Sequence, residues 1–200
     1  MCLAFFFLLR RSEIVAIRGG SFKWFALGAQ GIVVVDVSLQ PTQNPSLAQA
    51  VWVRLIGSKT NQDGAPTTRM LSRSGHQFLC PVFGALILFQ ARMNLPPNIA
   101  PAVYMSRRGQ PAYMSTEDMS EAIKCAAIHT GKDPHRFSSH SLRAGGATHM
   151  YHSGADALTI QFHDHSVSDV YKTYTRLCKA SVTTLAANMV AGSTGDSKLH

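Results

Sequence analysis

The chain has 200 residues, enough for one domain with a proper core, and its 46% hydrophobic and 15% charged content excludes a mainly disordered polypeptide. A formal charge of +8, with nine histidines besides, points toward a polyanionic partner. The four cysteines, Cys2, Cys80, Cys125 and Cys178, lie far apart with no C-x-x-C pair, which argues against a disulfide framework or a thiolate zinc site and fits reduced thiols in an intracellular protein.

The opening MCLAFFFLLRR has no basic stretch before its apolar run, no small-residue cleavage site, and too few apolar residues to span a bilayer. It reads as the buried face of a first helix, over Phe5 to about Arg18 and closed by Gly19-Gly20. Its abrupt start suggests a domain without its natural N-terminal portion. GIVVVDVSL (31–39) and VWVRLIG (51–57) are β-branched and predict strands, and TTRML (67–71) is expected to pair back across the turn-rich SKTNQDGAP (58–66). A helix is predicted after Pro81, followed by a proline-rich irregular connection over 95–114.

Ser115 is a candidate N-cap for TEDMSEAIKCAAIHT, with acids in the first turn and Gly131 past the end. Further helices are predicted over about 139–153, 155–163, 168–178 and 179–190, and the tail from Gly192 is small and polar. The fold class expected is mainly α with a small antiparallel β-sheet. Charge is unevenly spread. From Gly64 to Thr116 there is no Asp or Glu, while Arg69, Arg73, Arg92, Arg107 and Arg108 fall there. That pattern predicts a positive surface suited to a phosphate backbone.

The most informative stretch is FSSHSLRAGGATHMYHSGAD (137–156). His140 and Arg143 stand three apart and on a helix share a face. The small residues AGGAT beside them allow close approach to another backbone. Downstream, in HDHSVSDVYKTYTR, His165 precedes Tyr174 by nine residues, and upstream LLRRSEIVAI places Arg10 three residues before Glu13. This series resembles the tyrosine recombinases of the phage-integrase family: an arginine helix, a lysine hairpin, H-x-x-R, a second histidine, then tyrosine. SKTNQ, Cys80-Pro81 and HSLRAG are most similar to the crypton and DIRS-type recombinases of eukaryotic mobile elements.

The resemblance implies a catalytic set of Arg10, Lys59, His140, Arg143, His165 and Tyr174, over a catalytic domain of residues 1–190 with 191–200 as a tail. The resemblance implies a catalytic domain here without the family's N-terminal helical domain. Two guanidiniums would bind the non-bridging oxygens of a phosphodiester and stabilise its pentavalent transition state. Tyr174 would attack to leave a 3′-phosphotyrosine, and Lys59 would protonate the leaving 5′ oxygen. His140 and His165 would share proton handling. No cofactor or metal is implied. The partner implied is double-stranded DNA, with self-association into a tetrameric synapse and no membrane, and the location is intracellular, nuclear in a eukaryotic host.

Several positions have rivals. Arg11 competes with Arg10, though the Ser-Glu register favours Arg10; Tyr171 competes with Tyr174 one helical turn away. Asp164 stands where the family has glycine, and the His140-to-His165 interval is one residue short, so Ser166 is an alternative occupant of the second-histidine position. His149, His152 and His163 read as helix-surface residues, and the pairs His129/His135 and His163/His165 lack co-ligands for a metal. A type IB topoisomerase and a non-catalytic DNA-binding remnant are the rival functions.

Overall fold

The computed structural model describes residues 1–14, 27–56, 66–156, 159–160, 163, 186–187 and 189–191. The first apolar run does not form the single helix expected. Helix α1 spans Cys2–Phe6, the chain then bends, and a short α2 covers Arg11–Ile14. The reason is burial. Phe6, Phe7, Leu8 and Leu9 are consecutive and all buried, whereas successive residues of a helix point about 100° apart and cannot all face one core. The bend at Leu8, whose φ is 51°, turns all four inward.

Strands β1 (Ile32–Val35), β2 (Ala50–Leu55) and β3 (Thr67–Ser72) form the expected antiparallel sheet in the order β1-β2-β3. Strand β1 stops four residues short of the predicted span. Asp36 Oδ1 accepts the N–H groups of Ser38 and Gln40, and this side-chain turn competes with the ladder. On β2 and β3 burial alternates, so Val51, Val53 and Leu55 share the inner face with Arg69 and Leu71, and Val53 pairs with Arg69. Helix α3 (Pro81–Ala91) begins with proline as expected and packs Val82 and Ala85 against this face.

The 95–114 connection holds a second, two-stranded sheet that the proline content obscured. Strand β4 (Val103–Met105) pairs with β5 (Pro111–Tyr113) across a turn whose Gly109 has φ 71°. Pro111 opens β5, where a strand tolerates proline. Helix α4 (Thr116–His129) carries the predicted cap. Asp118 N–H donates to Ser115 Oγ at 3.1 Å, and Ser115 N–H donates to Asp118 Oδ2 at 2.8 Å. Helix α5 spans Ser141–His152, and Gly154 (φ 86°) follows it. Residues 159, 160 and 163 are helical, as are 186–187 and 189–191, and Ala186 and Met189 join the core formed by α1, the sheet and α3. The expected helix over 168–178 and the polar tail lie outside the described residues.

Candidate active site

The turn from Leu9 to Ile14 places Arg10 at the cap of α2. Its N–H donates to Glu13 Oε2 at 2.7 Å, and Glu13 N–H donates back to the Arg10 carbonyl at 2.8 Å. This is the acid half of a capping box, and it fixes Glu13 beneath Arg10. Glu13 is 4% exposed. Its Oε1 is buried and accepts no hydrogen bond among the described residues, so compensation comes from the charges around it.

Those charges are three guanidiniums, Arg10, Arg143 and Arg69. Burial pushes the Glu13 carboxyl above its ordinary value, and the Arg10 backbone N–H and the three arginines pull it back part of the way. The charges of the two arginines expected from the sequence, Arg10 near the start of the chain and Arg143 in its last third, thus both act on one carboxylate. Both residues are half-buried, and Nη1 of Arg143 is fully buried.

Helix α5 is held at this place by its small residues. A Cβ on Gly146 would lie 2.2 Å from the Phe5 carbonyl oxygen and 2.6 Å from Leu8 Cδ2, so α5 rests directly on the backbone of α1. The close approach expected from AGGAT is therefore made by Gly146. Arg143 sits nearly one helical turn before that contact, which sets its distance from Arg10.

His140 differs from the expected position within the helix. Its carbonyl accepts the N–H of Ala144, which makes it the cap residue just ahead of Ser141. Ser141 N–H donates to the Ser138 carbonyl and Ser138 N–H to Ser141 Oγ, both at 2.9 Å, and this closed turn leaves the His140 side chain exposed. Lys59, His165, Ser166, Tyr171 and Tyr174 lie outside the described residues, as does the side chain of His152.

Two histidines expected on the helix surface are not there. His149 is half-buried and its ring meets Phe5 edge-on at 5.6 Å between centroids. His163 is fully buried, and burial first, then the Arg69 charge, pushes its imidazole down to about 3. The five arginines of the acid-free stretch also divide. Arg69 and Arg92 are 3% and 5% exposed, so neither contributes to a positive surface. Arg92 donates to the carbonyls of Ala100, Pro101 and Val103, pinning the connection that follows α3. Arg73 donates to the carbonyls of Ala48 and Pro45 at 2.7 and 2.5 Å. Arg107 and Arg108 stand exposed at the tip of the β4–β5 hairpin.

Backbone carbonyls explain this division. An arginine fork satisfies several of them at once where a loop crosses the core, and sequence composition does not distinguish that task from binding phosphate. Arg69 was the residue of the site that composition misplaced. The signal available was its alternation with Leu71, which puts both on one face of a strand.

Among the described residues no group of three or more His, Cys, Asp or Glu is placed to hold a metal ion, and no helix is long and apolar enough to cross a membrane. No curated protein and no solved structure matches the chain. The phage integrase family model matches residues 58–180, more than half of the sequence, including Lys59, His140, Arg143, His165 and Tyr174. Arg10 and Glu13 precede the matched span, and the charge of Arg143 within it acts on Glu13. The chain belongs to the phage integrase family.

Proposed function

We propose that this protein cuts and rejoins one strand of duplex DNA at a time through a 3′-phosphotyrosine on Tyr174. Membership of the phage integrase family implies site-specific recombination and DNA as partner. The observation that carries the finer reading is the gathering of Arg10 and Arg143 about the buried Glu13. Two arginines whose charges converge on one carboxylate would supply a pair of guanidinium forks for a phosphodiester's non-bridging oxygens.

In this reading Tyr174 attacks phosphorus and the 5′ oxygen leaves. The phosphotyrosine keeps the bond free energy, so a 5′ hydroxyl can reverse the step without a nucleotide cofactor. Lys59 supplies the proton to the leaving oxygen and His140 hydrogen-bonds the phosphate. His165 shares the proton handling, with Ser166 as the alternative occupant of that position. Self-association on DNA is part of the proposal, since exchange between two duplexes needs more than one tyrosine. The SKTNQ, Cys80-Pro81 and HSLRAG segments support kinship with crypton and DIRS-type recombinases.

The test is trapping on a nicked duplex, whose short 5′ fragment diffuses away after cleavage and prevents religation. The expected result is a covalent adduct whose DNA-bearing peptide contains Tyr174 as the modified residue. Mapping to Tyr171 would overturn the nucleophile assignment, and tight DNA binding with no adduct would identify a non-catalytic remnant.

The β4–β5 tip gives a second, quantitative expectation. Replacing Arg107 and Arg108 together by alanine removes two exposed phosphate-binding charges. The slope of log affinity against log salt should become shallower by about 2, near 0.9 per phosphate contact. The loss should be uniform across DNA sequences, and the adduct rate at saturating DNA should stay as in the parent. An unchanged slope in a filter-binding salt series would place the DNA elsewhere.

A further inference from the structure

Arg69 sits on the inner face of β3, 3% exposed, at a strand position whose neighbours Leu71 and Val53 are apolar. A guanidinium there loses its hydration, and the fold holds it only because partners replace the water. Those partners lie on separate pieces of the site. Nη1 donates to the carbonyl of Phe7 at 3.5 Å and to the carbonyl of His163. Phe7 belongs to the bend that delivers Arg10, and His163 lies two residues before His165 in sequence. The same charge acts on Glu13, the anchor of Arg10 and Arg143. In sequence, β3 follows the 58–66 segment that contains Lys59.

We propose that Arg69 is a positioning residue for the site: it pins the Phe7 bend and the His163 segment to β3 and supplies Glu13 with a third positive charge, so that Arg10 and Arg143 stay gathered. Among the described residues, the charged and titratable groups acting on Glu13 are Arg10 on its own segment, Arg143 on α5 and Arg69 on β3, with His163 beside Arg69. Removing the Arg69 charge raises the cost of an ionised Glu13. Once Glu13 takes a proton, the carboxyl on which both guanidiniums act no longer attracts them as an anion. The activity arm of this inference rests on the strand-cleavage reading above; the structural arm does not.

The chain has three glutamates, Glu13, Glu117 and Glu121, and the last two are exposed. Carboxyl-carbon NMR of protein labelled at glutamate therefore resolves Glu13 as the signal that titrates highest, and Glu13→Gln assigns it. Arg69→Gln keeps a donor for the two carbonyls and deletes the charge. In that variant the Glu13 titration is expected to move to higher pH. The acid limb of adduct formation on a nicked duplex should move up with it, and the rate at pH 7 should fall roughly tenfold or more at unchanged duplex affinity. Arg69→Lys restores the charge and should return both titration and acid limb toward the parent.

A folded Arg69→Gln whose Glu13 titration stays in place overturns the proposal. Should the neutral variant not fold, Arg69→Lys decides: Glu13 titrating as in the parent supports the charge role, and Glu13 displaced upward in the folded lysine variant refutes it. If the parent forms no adduct, strand cleavage is the reading that fails, while the Glu13 titration still decides the role of Arg69.

Discussion

Gly146→Ala is expected to destabilise the protein by about 3 kcal/mol, whereas Gly145→Ala one position earlier is expected to be neutral or to stabilise by up to about 1 kcal/mol. Both replace a helical glycine by the best helix former, so propensity favours both equally. They differ in what the new methyl meets. At 145 the nearest atom is Phe5 Cε2 at 4.0 Å, an ordinary contact with the edge of a ring. At 146 the methyl falls 2.2 Å from the Phe5 carbonyl oxygen and 3.2 Å from the carbonyl carbon. A backbone carbonyl cannot rotate aside as a side chain can, and the Leu8 side chain at 2.6 Å belongs to a residue already held at positive φ. The helix must retreat instead.

For a protein of this size that loss lowers the melting temperature by roughly 6–12 °C, which calorimetry or urea denaturation reads directly. A retreat of α5 also carries Arg143 away from Glu13 and Arg10. A displacement of about 1 Å at reacting groups can cost on the order of a hundredfold in rate, so adduct formation should fall more steeply than stability at temperatures where the variant is still folded. Equal stability of the two alanine variants would show that α5 does not rest on α1 as described.

Local signals in the sequence were sufficient wherever one element carried its own punctuation. Ser115 and Asp118 marked the start of α4 because the capping box is complete within four residues. Pro81 marked α3, and the β-branched runs on either side of 58–66 gave the hairpin arms. What local signals could not show was set by distant partners. The break after α1 answers to a core that accepts Phe6 through Leu9 together. The β4–β5 pairing answers to a turn at Gly109 that four nearby prolines masked. The candidate site divides the same way. Motif spacing marked Arg10, His140 and Arg143. The same motif gave Glu13 as the partner acid of Arg10, but it could not show that the charge of Arg143 also acts on Glu13, that His140 caps its helix, or that Arg69 faces inward.

The burial of His163 leads to an expected acid sensitivity. Its imidazole is held neutral, with a pKa pushed down to about 3 by burial and by Arg69, while in the unfolded chain it titrates near the usual value of about 6.5. Below that pH the unfolded chain binds a proton that the folded one refuses. Stability from this group is therefore complete above about pH 6.5 and is lost as pH falls toward 3. Between pH 6.5 and 5 the loss is about 2 kcal/mol, at about 1.4 kcal/mol for each factor of ten in proton concentration. Glu13 works in the opposite sense: its carboxyl is raised in the fold, so the folded state holds a proton to higher pH and acidification through its titration favours the fold. The parent's acid limb is the difference of the two.

His163→Leu removes one side of that difference and nearly conserves volume, so its stability should be flatter, or even rising, as pH drops from 7 to 5. Urea midpoints at half-unit pH steps measure this. Parallel curves for parent and variant would mean that His163 protonates in the fold as readily as in the open chain. The effect also reaches the site. A proton on His163 would set a second positive charge beside Arg69, whose guanidinium holds the carbonyl of that same residue. Repulsion would act on the contact that ties the segment before His165 to β3. Adduct formation by the parent should therefore fall with acid ahead of global unfolding, and His163→Leu should keep only the part of that fall that comes from Glu13.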